Sequence, residues 1–278
     1  MKLLLIDGSN LLFQMFFGMP ARIINHEGKA IQGTLGFVGA LLKIIRMVKP
    51  THVAVLFDGE THNPRTDVDA EYKANREDYR QVGEEENPFS QLPDIYEALD
   101  FLGICHAETT DCETDDWIAG YVKKYKVETV ISSFDSDFFQ LISDRVTILR
   151  YRGENTVLCD TEYIRAKFGI EPPQYAEFKS LTGDTADNIK GVGKVGPKTA
   201  AQLMKEFGSL EELIRRAEEI KKPSVRESVK ASTEQIKKNY QLICLTGVSA
   251  LPFEPEELVF MDNGVTTTEV LRGIGLRK

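Results

Sequence analysis

A chain of 278 residues, 42% hydrophobic and 28% charged, can bury one large core or a core with an appendage. It has no apolar run of the roughly eighteen residues a membrane span needs, and Lys2–Asp7 opens it as a strand rather than a signal peptide, so no membrane partner and a cytoplasmic location are expected. Cys105, Cys112, Cys159 and Cys244 form no CxxC pair, which excludes a zinc or disulfide framework; the net charge of −9 would disfavour a nucleic-acid partner if it were spread evenly.

In chain order, Lys2–Asp7 reads as a short buried strand ending in an aspartate, then the turn-former Gly8 and a helix cap at Ser9 or Asn10. A second helix is expected over 34–48, closed by Pro50, and a second buried strand over 53–57 again ends in an acid, Asp58. Apolar strands ending in acids suit a parallel sheet that carries its active groups at the carboxyl edge. From 60 to 93 the periodicity fails, and the segment reads as a mixed-charge arch holding Arg65, Tyr72, Lys73, Arg76 and Arg80. A helix over 92–102 and a strand near 104–107 precede Glu113, Asp115 and Asp116, which are more acids than a helix cap needs. The strand 127–131 leads to Asp135 and Asp137, which share a side if the chain is still extended. Strands over 146–149 and 156–158 follow, then a mostly helical region that includes a long amphipathic helix over 225–245.

The segment Leu181–Leu203 brings two chemistries together. Asp184 and Asp187, three apart, share one face on a helical turn and can hold a cation. From Ile189 to Lys205 there are Lys190, Lys194, Lys198 and Lys205 and no acid. Gly191, Gly193 and Gly196 allow sharp turns, and Pro197 opens a helix whose N-terminus can meet a phosphate.

Asp7, Asp58, Glu113, Asp115, Asp116, Asp135, Asp137, Asp184 and Asp187 match the acidic surplus in number, so the surplus can sit in one place. If they converge, either divalent cations lie between them or some of the acids are protonated, and oxygen-only ligands select Mg²⁺ or Mn²⁺. Two such ions suit in-line displacement at a phosphodiester, and Lys73 and Arg76 are candidates to offset the added transition-state charge.

The motifs LLIDGSN, VLFD, YKANR, ETDD, SSFDSDFFQL and LTGDTADNIKGVGKVGPKTA, in this order, resemble the 5′-nuclease family over about residues 1–245. That family comprises the 5′→3′ exonuclease domain of bacterial A-family DNA polymerases, phage flap endonucleases and stand-alone bacterial homologues. The resemblance implies an α/β fold: a mostly parallel central sheet with helices on both faces, a helical arch and a helix–turn–helix DNA-binding subdomain. It implies a nuclease core over 1–159 with the arch at 60–93, a mainly helical DNA-binding region over 160–246 that completes the metal site, and a tail over 247–278, packed on the core or partly flexible. Asp7, Asp58, Glu113 and Asp115 resemble the first metal cluster; Asp116, Asp135, Asp137, Asp184 and Asp187 resemble the second. Lys73 and Arg76 match arch residues that meet the scissile phosphate. Tyr72, Lys190, Gly191, Gly193, Lys194, Gly196, Lys198 and Thr199 fall at DNA-binding positions, and the 191–196 loop can also hold K⁺.

The implied activity is Mg²⁺-dependent 5′→3′ exonuclease or flap endonuclease cleavage of branched or 5′-ended duplex DNA, in primer removal and repair, by a monomer acting with a DNA polymerase in trans. Three departures stand out: Gln14 replaces a frequent arginine, Ser136 replaces a frequent basic residue, and the arch has nine acids against four Lys or Arg from Glu60 to Ser90. The first and last of these motivate the alternative of a DNA junction-binding protein with weak or vestigial nuclease activity.

Overall fold

A computed structural model describes residues 1–59, 63–77, 79, 82–83 and 85–278. Glu60, Arg80 and Glu84, assigned above to the arch, lie outside the described residues. The centre is a six-stranded sheet of β1 (Lys2–Asp7), β2 (His52–Phe57), β3 (Cys105–Glu108), β4 (Glu128–Ser132), β5 (Val146–Arg150) and β6 (Val157–Cys159), in the order β3-β2-β1-β4-β5-β6. The first five strands are parallel, whereas β6 runs antiparallel to β5 at the edge. Leu4 of β1 is in register with Val53 on one side and Val130 on the other. Leu3, Leu4, Leu5 and Ile6 are fully buried, each contributing about 1.5–3 kcal/mol of burial. Side chains of β1 alternate between two cores, so both faces of the sheet must be covered.

One face packs on α1 (Gly8–Gly18) and α2 (Gln32–Val48). Past β2 the described part of the arch contains one four-residue helix, α3 (Arg65–Val68), and a 3₁₀ turn at Pro88–Gln91, which leads into α4 (Leu92–Leu102) on that same face. The other face packs on α5 (Thr114–Lys124), and its core continues without a break into the helical region. That region holds α6 (Thr161–Phe168), α7 (Tyr175–Thr182), a hairpin of β7 (Gly183–Asp184) and β8 (Ile189–Lys190), α8 (Pro197–Phe207), α9 (Leu210–Arg215), α10 (Pro223–Ala231) and α11 (Thr233–Ile243). The single helix expected over 225–245 is thus two. Ser232 and Thr233 fall at the break, and the Thr233 hydroxyl donates back to Val229 and Lys230 carbonyls, a competition that weakens a continuous helix.

The tail lies on the core. The Leu258 carbonyl accepts from Val53 N–H at 2.9 Å, and α12 (Thr267–Gly273) buries Val270 against Val38, Leu42 and Ala98. Among the described residues no helix is long and apolar enough to cross a membrane.

Candidate active site

The carboxyl ends of β1 and β4 meet where the strand order reverses direction, the usual crevice for ligands in such sheets. Asp7 sits there, 5% exposed. Its Oδ1 accepts from Asn10 N–H (3.0 Å), so Asp7, rather than Ser9 or Asn10, caps α1. Its Oδ2 accepts from Ser133 Oγ (2.7 Å), which in turn accepts from Asp135 N–H (2.9 Å). Burial, then the Asp58 carboxylate, pushes the Asp7 carboxyl up to about 7. Asp58 is exposed at the end of β2, and its Oδ1 accepts from Thr114 N–H (2.9 Å).

Glu113 caps α5 and forms a capping box with Asp116. Cations from the arch converge on these two acids. Arg65 donates to Glu113 Oε2 (2.6 Å), to both Asp116 oxygens (2.9 and 2.8 Å) and to the Leu242 carbonyl (3.0 Å). Lys73 Nζ donates to Glu113 Oε1, and the Tyr72 hydroxyl to Oε2 (3.2 Å). Burial alone would raise the Glu113 carboxyl, but Lys73 and Arg65 outweigh it and hold it below the usual range. The Asp115 carboxyl is raised well above that range, by burial and then by Asp135. Asp116 therefore faces Arg65, whereas Asp115 faces Asp135, Glu113 and Asp7.

Among the described residues, Asp137, Asp184 and Asp187 form the one trio whose ligand oxygens lie within 4.8 Å of one another. Asp137 begins a 3₁₀ turn and its N–H donates to Asp135 Oδ1 (2.7 Å), so Asp135 and Asp137 are held by a tight turn instead of an extended strand. Asp184 and Asp187 do not share a helical turn either. Gly183, at φ +79°, ends α7, and the two aspartates come together at the turn between β7 and β8. Three carboxylates with no nitrogen or sulfur ligand fit a hard divalent ion. Arg76 donates to Asp187 Oδ1 (2.7 Å).

Lys179 is the residue sequence reasoning missed. Its ammonium, 6% exposed with its residue, donates to Asp137 Oδ1 (2.5 Å), to Asp184 Oδ2 and to Ser136 Oγ (3.4 Å). The positive charge absent at Ser136 thus arrives from α7. The available signal was a lysine among Tyr175, Ala176 and Phe178 on the buried side of a short helix, where an unpaired ammonium is not tolerated. Burial pushes Asp137 up to about 7 against the pull of Lys179, whereas in Asp184 the pull of Lys179 outweighs burial and the carboxyl is held low.

Beyond the trio, the 191–196 loop alternates buried Val192 and Val195 with exposed Gly193, Lys194 and Gly196. A Cβ on Gly191 would lie 2.3 Å from the Thr182 carbonyl oxygen, so only glycine lets the loop pass this close to α7. Gly196 caps α8, Pro197 occupies its first turn, and Lys190, Lys194 and Lys198 are exposed, with Thr199 half-buried. These backbone groups and cations form one surface suited to phosphate. Phe13 of α1 packs edge-on to Tyr79 (5.2 Å) and Phe89 (5.3 Å), tying these two residues of the 60–93 segment to α1. Gln14 donates its amide to the Tyr151 carbonyl (2.5 Å).

The family model described as 5′-3′ exonuclease, N-terminal resolvase-like domain matches residues 2–169, and the one described as 5′-3′ exonuclease, C-terminal SAM fold matches 170–264. The thermostable DNA polymerase I of Thermus thermophilus is 34% identical over 248 residues, 87% of this chain. DNA polymerase I of Bacillus subtilis is 31% identical over 283 residues, 96% of the chain. The chain spans 28% and 32% of those two relatives. A bacteriophage T5 flap endonuclease solved with DNA and metal ions superposes with a TM-score of 0.71 at 24% identity, covering 88% of this chain and 89% of that one. The catalytic core of Rad2 in complex with DNA substrate superposes at 0.62 and 17% identity, covering 98% and 86%. Both likenesses are of fold. With two consecutive family models accounting for nearly its whole length, the chain belongs to the 5′-3′ exonuclease family.

Proposed function

We propose that the protein is a Mg²⁺-dependent, structure-specific 5′ nuclease that hydrolyses phosphodiesters in branched or 5′-ended duplex DNA. The observation that carries this reading is the carboxylate trio of Asp137, Asp184 and Asp187, set beside Arg76 and followed directly by the phosphate-suited loop. In this reading Asp137, Asp184 and Asp187, with Asp135, hold one ion, and Asp7, Asp58, Glu113 and Asp115 the other. When bound, such ions supply charge neutralisation at the phosphate and a more acidic water. Asp116 supports the site through Arg65. Lys73 and Arg76 bind the scissile phosphate once released from Glu113 and Asp187. Tyr72, buried beneath them, orients Glu113.

Lys190, Gly191, Gly193, Lys194, Gly196, Lys198 and Thr199 hold the duplex, with K⁺ at the 191–196 loop, so that the grip fixes which phosphate reaches the acids. Residues 1–159 act as the nuclease core and 160–246 as the DNA-binding region. We assign a role in primer removal and repair, in the cytoplasm, as a monomer with a polymerase supplied in trans. Mn²⁺ substitutes for Mg²⁺.

A second reading, a junction-binding protein with weak nuclease activity, is favoured by Gln14, whose amide is spent on a backbone carbonyl instead of a phosphate. Flap cleavage titrated with Mg²⁺ and Mn²⁺ separates the two. The first reading expects turnover that Asp187→Ala abolishes while duplex binding persists, and undiminished hydrolysis by that variant overturns it.

A further inference from the structure

We infer that Lys179 is the built-in counter-cation of the Asp137–Asp184–Asp187 site, and that a divalent ion occupies this site only by displacing its ammonium group. The inference rests on the reading of the trio as a metal site. An ammonium has three N–H donors, and all three of Lys179 are used: on Asp137, on Asp184 and on Ser136. Two of these partners belong to the trio itself. A buried, fully satisfied ammonium against two carboxylates does for the metal-free protein what a cation would do, since it removes the repulsion that would drive the acids apart. It also repels an incoming ion bound to the same carboxylates at close range in a poorly screened site. Arg76, on Asp187, has a half-exposed side chain and can swing into solvent. Lys179, whose side chain is 8% exposed, leaves only at the cost of two buried carboxylate partners, so an ion must compete with it directly. Metal loading at this site is therefore an exchange of cations, and Lys179 acts as a positioning residue that sets the affinity of the ion.

The test is Mn²⁺ binding at one fixed pH to the full chain and to Lys179→Met, with melting temperatures in EDTA and in Mn²⁺. The variant is expected to bind one Mn²⁺ about tenfold or more tighter than the parent, since the competing cation is gone. It should melt several degrees lower in EDTA and recover in Mn²⁺. A merely structural lysine would lower the melting temperature without tightening the ion, so Mn²⁺ affinities within about twofold of each other overturn the inference. If the variant does not fold in EDTA, Mn²⁺-saturated crystals of the parent decide: an ion at the trio with Lys179 Nζ withdrawn from both aspartates supports the exchange, and Nζ still bridging them overturns it. Failure of both proteins to bind any Mn²⁺ removes the metal reading itself, and the inference falls with it.

Discussion

The backbone N–H of Lys73 donates to the carbonyl of Asp187 at 3.0 Å. Both sides of this bond are tight turns: Lys73 lies at φ 56° and Asn188, next to Asp187, at φ 59°. Asn188 Nδ2 donates to the Glu71 carbonyl (2.8 Å) and Asn75 Nδ2 to that of Thr185 (3.1 Å). The segment around Lys73 and the turn between β7 and β8 are clasped and must shift together.

Because Lys73 is fixed in backbone but free at its ammonium once Glu113 is engaged elsewhere, Lys73→Ala should slow cleavage while leaving the duplex grip alone. A single-turnover rate lower by about 10²-fold or more is expected, with duplex Kd nearly unchanged. An unchanged rate would take Lys73 out of the chemistry.

Arg65 should matter for folding. Its side chain is 11% exposed and bonds two acids and a backbone carbonyl. Arg65→Ala strips Glu113 and Asp116 of this partner, and breaking such a buried pair costs about 3–5 kcal/mol. Urea denaturation in EDTA should show a loss of this order, and a loss below about 1 kcal/mol would assign the cluster the worth of a surface pair.

The acids also give the metal-free protein a defined pH dependence. Asp7 and Asp137 have carboxyls raised from an ordinary 3.8 to about 7. Between those values the folded chain keeps protons that the unfolded chain has released, so stability falls as pH rises from about 4 to about 7. Glu113 and Asp184, held low, act oppositely: the stability they contribute is present above the ordinary carboxylate pKa and is lost in acid. In EDTA the melting temperature should drop by several degrees between about pH 5 and pH 7.5, and millimolar Mg²⁺ should remove the slope. A flat profile without metal would mean that these carboxyls titrate normally.

Lys194 holds a left-handed backbone conformation at φ 66°, which suits glycine better. Lys194→Gly relieves that strain and loosens the unfolded chain, so stability should change by less than about 1 kcal/mol. Duplex affinity should fall and the dependence of log Kd on log salt should lessen by about one phosphate contact. An unaltered salt slope would place this ammonium away from the DNA.

Much of the site was legible because its parts are local. Asp7 and Asp58 follow apolar strands, and Gly191, Gly193 and Gly196 lie within one short segment. What sequence did not disclose is the pairing of charges across the fold. Arg65 with Asp116, and Lys179 with Asp137, are long-range contacts that periodicity does not encode. Nor does the i, i+3 spacing of Asp184 and Asp187 disclose their geometry, since the positive φ of Gly183 turns the chain into a hairpin before a helical turn can form.

The strand order carries a last consequence. β1 lies between β2 and β4, and it precedes both of these neighbours in the chain. During translation β2 can pair with one edge of β1 early, but the edge that β4 will cover stays open while residues 60–93, α4, β3 and α5 emerge. A nascent chain with an exposed Leu3–Ile6 edge is prone to sticking to its copies, and slow synthesis or arrest before β4 should make it a client of holdase chaperones.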